Sequence, residues 1–156
     1  MDRVGVQWPG WRRGEEMKKM KDKAKTMEQL RAADALKKVN DLKNNTNYNT
    51  QWKDKYASCV SSLAPAILMN GLGQAAATLC TAGEKDDQHY VLYHHLQSWL
   101  CRGNSKAPYP NYGNLMTAIT DNDKDDYFIA QAEALVWLQW LKKFATAYLK
   151  TQGGDS

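Results

Sequence analysis

Apolar positions recur every three or four residues through most of this chain, and no stretch alternates with period two long enough to make a strand. From Glu15 to Lys43 the spacing of Met17, Met20, Ala24, Met27, Leu30, Ala33 and Leu36 predicts one long first helix. Glu15 and Glu16 favour its positive end, and Asn44, Asn45 and Asn47 end it because asparagine competes for backbone hydrogen bonds. A second helix is expected from about Thr50, its plausible cap, to Leu63, with Trp52, Tyr56, Cys59, Val60 and Leu63 on one side. Pro65 lacks an amide hydrogen and crowds the preceding turn, so a kink or break is expected near Ala64.

The apolar run 66–81 follows, interrupted by Gly71 and Gly73, a pair that predicts a bend or a close approach of another helix to bare backbone. Asp86 and Asp87 open a further helix carrying Tyr90, Leu92, Tyr93, Leu96, Trp99 and Leu100. The segment 102–113, with Pro108 and Pro110, reads as the longest loop, and a short helix is expected over 114–120. In the last helix, about Asp125 to Lys150, Ala134, Leu138, Leu141, Ala145 and Tyr148 form the apolar stripe. Trp137, Phe144 and Leu149 widen it, and Gln139, Lys143, Thr146 and Lys150 lie opposite. The expected fold is all-α: a compact bundle of five to six helices with the second interrupted near Pro65. Residues 15–150 form its one domain, flanked by a flexible N-terminal extension (1–14, with Trp8 and Trp11) and a disordered tail (151–156).

Composition narrows the function classes. With 43% hydrophobic and 24% charged residues over 156 positions, the chain is ordinary for a folded domain and can bury about two thirds of its unfolded surface. No run approaches the length of a membrane span, and the first thirteen residues lack the apolar core of a signal peptide. The cysteines, Cys59, Cys80 and Cys101, are odd in number and far apart, which suggests free thiols in a reducing cytosol. The formal net charge is +4, distributed unevenly: residues 1–43 carry twelve Lys/Arg against seven Asp/Glu, and residues 111–156 carry four against six.

Each constellation that could carry chemistry has a plainer reading. Asp121, Asp123 and Asp125 imitate the start of a calcium loop, but Asp126 and Ala132 stand where that loop needs glycine and glutamate. Acidic capping of the last helix accounts for them better. His89, His94 and His95 lack the helical spacing of a zinc pair, and no nucleophile, carboxylate pair or phosphate-gripping loop joins them for acid/base catalysis. The chain therefore reads as neither enzyme nor metalloprotein, with no cofactor. The lysines are the most suggestive set: Lys18, Lys21 and Lys25 on one face of the first helix, then Lys37 and Lys38, with Lys53, Lys55, Lys142 and Lys143 joining if the helices pack suitably. Such a face suits sequence-independent phosphate contact. Among the tryptophans, Trp140 sits beside the main stripe of the last helix and is the candidate for a subunit interface.

Two stretches give these lysines a context. Leu63-Ala64-Pro65-Ala66-Ile67-Leu68-Met69-Asn70-Gly71-Leu72-Gly73-Gln74-Ala75 resembles the middle signature of the fifth Cmr protein family, and Glu133-Ala134-Leu135-Val136-Trp137-Leu138-Gln139-Trp140-Leu141-Lys142-Lys143-Phe144-Ala145 is similar to its C-terminal helix. The resemblance covers about Met17 to Leu149. It implies an all-helical, non-catalytic small subunit of the type III-B (Cmr) CRISPR ribonucleoprotein. Such a subunit stacks head to tail with further copies of itself, beside the backbone subunits that hold CRISPR RNA and near the large polymerase-like subunit, with target RNA in the groove between. The alternative is a helical adaptor that binds protein only, its lysines merely solvated.

Overall fold

The computed structural model describes residues 14–19 and 24–151. The expectations for the N-terminal extension with Trp8 and Trp11, for Lys21 and for residues 152–156 lie outside these. The fold is all-helical, with α1 at residues 14–19, α2 Met27–Lys43, α3 Thr50–Asn70, α4 Leu72–Cys80, α5 Gln88–Leu100, α6 Leu115–Asp121 and α7 Lys124–Tyr148. The seven helices among the described residues exceed the expected five to six because the expected first helix is divided, and a second boundary falls elsewhere than expected without changing the count.

The expected first helix is divided. Residues 24–25 turn, and extended Thr26 starts α2 afresh through a capping box. Its Oγ1 accepts the Gln29 N–H at 3.1 Å, while the Gln29 side chain accepts the Thr26 N–H at 2.9 Å. Two otherwise orphaned amide hydrogens are satisfied, and a new start outcompetes continuation. The second correction is at Pro65. α3 runs through it without a boundary, since Pro65 lies on the exposed side, where the carbonyl it leaves unpaired can be hydrated. The break comes at Gly71, with φ 86° and ψ 159°, a region essentially reserved for glycine. Asn49, not Thr50, caps α3, accepting the Trp52 N–H at 2.8 Å.

α7 is the central element: α2 and α3 lie against it, and α4 and α5 pack on α3. α3 runs antiparallel to α7. At one end Asp54 accepts both the N–H and the hydroxyl of Thr151. At the other, Gln131 accepts the Leu72 N–H at 2.9 Å and the Tyr127 hydroxyl accepts the Gly73 N–H at 3.0 Å. These bonds explain how α4 starts with no cap of its own, because α7 supplies the acceptors for its first-turn donors. The close approach expected at the glycine pair is found here: a Cβ on Gly71 would lie 2.8 Å from the Tyr127 hydroxyl.

The core contains Val39, Tyr56, Ile67, Leu72, Leu92, Leu96, Leu138 and Leu141, with Trp137 wholly buried at its centre. Two stripe assignments are corrected. In α7, Trp137 is central, whereas Tyr148 is 45% exposed. In α2 the buried positions are Ala35, Val39 and Leu42, while Ala33 is exposed and Leu36 half-buried. The reason lies in α2's charged residues: Arg31, Asp34 and Lys38 face α7 and bond or stack with its side chains, so the hydrophobic pattern understates that face.

Candidate RNA and subunit interface

The polar seam between α2 and α7 is built from indole N–H groups and carboxylates. Arg31 holds Glu133 through two parallel bonds, Nε to Oε2 at 2.7 Å and an Nη to Oε1 at 2.9 Å, the bidentate geometry that is strong for charged pairs. Glu133 also accepts the Trp99 indole N–H at 3.1 Å. This bonding to Glu133 raises the Arg31 pKa above its ordinary value. One turn on, Asp34 accepts the Trp137 N–H at 2.8 Å and the Lys38 ammonium at 2.5 Å, and Lys38 lies 5.2 Å over the Trp137 ring. Burial pulls the Lys38 pKa down against the opposing pull of Asp34.

This seam divides the lysines grouped by the sequence. Lys38 is a structural residue with its side chain only 12% exposed. Lys37 is exposed but paired with Asp41 at 2.9 Å. Lys18 is exposed and helical, and Lys25 is exposed in the turn before Thr26, so the common helix face assumed for Lys18 and Lys25 does not exist. Lys53 is half-buried and donates to the Lys43 carbonyl at 2.9 Å. Lys142 and Lys143 are both exposed, with no ion pair among the described residues.

Two lysines left out of that basic group join it in space: Lys43, whose ammonium sits 5.4 Å over Tyr148, and Lys150, adjacent to the Asp54–Thr151 clasp. With Lys53 they gather where α2 ends, α3 begins and α7 ends. The opposite end of α3 has another character. Leu68 and Met69 are 71% and 83% exposed, and Phe128 and Ile129, in the early turns of α7, are 61% and 59% exposed. Asp121, Asp123 and Asp125 are exposed beside them. Asp123 caps α7 by accepting the Asp126 N–H at 2.9 Å, which is the capping role read from the sequence. Basic and acidic–apolar ends are thus separated by the length of α3, about 30 Å at 1.5 Å per residue. Phe128 and Ile129 had a legible signal, since both fall off the Ala134–Leu138–Leu141 stripe.

Trp140 is half-buried. Its indole N–H reaches Glu28 at 3.1 Å, and its ring starts a ladder with Phe144 at 5.8 Å and Tyr148 at 6.2 Å. The three histidines do not converge. His89 bonds Asp87 at 2.9 Å, His94 is exposed, and His95 Nδ1 lies 2.6 Å from the Tyr56 hydroxyl. Burial holds His95 neutral, its pKa lowered to about 3, and raises the Tyr56 hydroxyl well above 10, so Tyr56 donates and His95 carries its proton on Nε2. Cys101 is buried and Cys59 and Cys80 are half-buried, all three as free thiols. No helix among the described residues is long and apolar enough to cross a membrane.

The chain matches the CRISPR-associated protein family Cas_Cmr5 over residues 27–148. That span starts at the first residue of α2 and ends at the last of α7, so it contains the whole α2–α7 assembly, both glycines of the α3–α4 joint and the Trp137–Asp34 seam. It begins ten residues later than the Met17 start of the resemblance, beyond the Thr26 cap that separates α1 from the bundle. The protein belongs to the Cas_Cmr5 family, the small structural subunit of the type III-B CRISPR Cmr complex.

Proposed function

We propose that this subunit is non-catalytic, stacks along the backbone subunits of the Cmr complex and supports the guide–target duplex through basic surface that reads no sequence. The reading rests first on the family match, which supports membership of the CRISPR Cmr complex. The observation that carries it further is the separation of charge: Lys43, Lys53, Lys142, Lys143 and Lys150 lie at or toward one end, and Leu68, Met69, Phe128 and Ile129 with their acidic neighbours at the other. Copies arranged head to tail would bring a basic end to an acidic, apolar one, burying side chains that are otherwise costly to expose. A guide can have any sequence, so an accessory subunit in contact with it gains from binding phosphates rather than bases.

Lys142 and Lys143 are the leading phosphate-binding residues, with Lys53, Lys18 and Lys25 as further members. Lys37 and Lys38 are weaker, because each already has a carboxylate partner. The test is the double reversal Lys142→Glu and Lys143→Glu in the assembled complex. Target-RNA affinity should fall, and the log–log salt slope should flatten by about 0.7 to 0.9 for each phosphate no longer neutralised. An unchanged slope would favour the alternative in which this subunit touches only protein. Trp140 remains the interface proposal, and a Trp140→Glu chain that still co-assembles would remove it.

A further inference from the structure

Beside the basic end lies a feature that phosphate binding leaves unused. Tyr48, Trp52 and Tyr56 form a column of nearly parallel rings. Tyr48 stacks on Trp52 with centroids 3.7 Å apart and planes 5° from parallel, and Trp52 follows Tyr56 at 5.9 Å and 6°. Tyr56 is buried at the inner end, whereas Tyr48 is half-buried at the outer end. A cavity of about 330 Å³ opens there, lined by Asn45, Asn47, Tyr48, Trp52 and Asp86. The loop 84–87 is fixed against the column: the Trp52 indole donates to the Asp86 carbonyl at 2.7 Å, and the Tyr48 hydroxyl to the Asp86 carboxylate at 3.3 Å.

We propose that this cavity takes an unpaired guanine base of RNA, a reading that rests on the RNA contact proposed above. A flat ring extends the column by stacking on aromatic side chains, as single-stranded RNA bases do. The carboxylate of Asp86 selects among bases. It has two oxygens and about four acceptor positions, only one of which is used by Tyr48. Guanine presents two adjacent N–H donors, N1–H and the 2-amino group, which match a carboxylate edge. Uracil offers one such donor. The one charged side chain lining the cavity is Asp86. Lys53 lies close to it, donating to the Lys43 carbonyl at 2.9 Å two residues before Asn45, and Lys55 is within one turn of Trp52 on α3. Neither lysine has an ion pair among the described residues, so a nucleotide with its base in the cavity has cations within reach for its phosphates.

The test uses the purified full chain and fluorescein-labelled oligouridine hexamers in which one central position is guanosine, inosine or an abasic site. Anisotropy should rank guanosine tightest, inosine next, because it lacks the 2-amino group, and the abasic oligomer weakest. The gap between guanosine and abasic should be about tenfold or more, the scale of one stacked base. Tyr48→Ala should erase that gap, and Tyr48→Phe should keep most of it. Asp86→Asn, which leaves the backbone carbonyl to Trp52, should bring guanosine and inosine together without weakening the abasic oligomer. Equal binding of all three oligomers, or a gap that survives Tyr48→Ala, overturns the base site. If Lys53→Glu with Lys55→Glu then weakens all three alike, the phosphate reading stands alone; if no oligomer binds and the lysine reversals leave the assembled complex unaffected, both readings fall. Displacement by an arginine-rich peptide with no effect of base identity overturns the proposal in favour of a protein partner.

Discussion

Replacing Asp34 with alanine is the sharpest perturbation of the seam that holds α2 to α7. Two buried donors lose their acceptor at once: the Lys38 ammonium at 2.5 Å and the Trp137 indole N–H at 2.8 Å. Trp137 is wholly buried and the Lys38 side chain only 12% exposed, so water cannot readily replace the carboxylate. An orphaned indole N–H costs about 1–3 kcal/mol, and an ion pair broken from one side about 3–5 kcal/mol. These overlap, and Lys38 limits its own share by releasing a proton, since burial already depresses its pKa. About 3 kcal/mol is the expected loss near neutral pH, or roughly 6–12 °C in Tm for a chain of this size. The sign of its pH dependence follows from Lys38. With Asp34 gone, its folded pKa drops further below the unfolded value. Between the two the unfolded chain binds more protons, so the variant recovers stability as pH rises toward the unfolded lysine value. Urea denaturation at pH 7 and pH 9.5 measures this, alongside the double variant Asp34→Leu with Lys38→Met. The double variant should be closer to wild type than Asp34→Ala, because no charge is left buried alone. A single variant within about 0.5 kcal/mol of wild type, or a double variant as unstable as the single, would refute the reasoning.

Three further outcomes are expected. His95, neutral in the fold with a pKa of about 3, contributes stability above the unfolded histidine value and loses it as pH falls below about 6.5, at up to about 1.4 kcal/mol per pH unit. His95→Gln can still accept the Tyr56 hydroxyl, so the difference between wild type and variant should change steadily from pH 6.5 to 5; parallel curves would show that His95 titrates normally. Gly71→Ala must adopt φ 86° and bring a methyl to 2.8 Å from the Tyr127 hydroxyl, and should cost at least about 1–3 kcal/mol in thermal unfolding. Adding Tyr127→Phe should relieve the contact but leave the backbone strain and remove the acceptor of the Gly73 N–H, so it should not restore wild-type stability. Finally, Thr26→Ala should destabilise by about 1 kcal/mol through loss of the capping box, read as a shift in urea midpoint at constant m.

Much of the fold was legible in the chain because its signals are local. Asp87, Asn114 and Asp123 cap helices from residues that precede apolar periodicity, and each acts only on amides two or three positions ahead. The all-α class, the long loop before α6 and the close approach at Gly71 and Gly73 followed from the same kind of signal. The failures were local too, where two signals competed. Thr26 and Gln29 form a capping box inside an apparently continuous pattern, and Pro65 suggested a break that Gly71, six residues later, makes instead.

The sequence alone determined the helical class, the acidic starts of α5 and α7 and the two signatures that lead to the Cas_Cmr5 family. The tertiary structure decided which charges are free. Lys37, Lys38 and Lys142 look alike along the chain, yet one pairs with Asp41, one is buried against Asp34 and Trp137, and one is exposed on α7. Helical periodicity gives a residue's angle on its own helix but not the position of the neighbour that covers it. Packing therefore turned part of the presumed basic face into a structural seam, and set Lys43, Lys53 and Lys150, distant in sequence, at one end of the bundle.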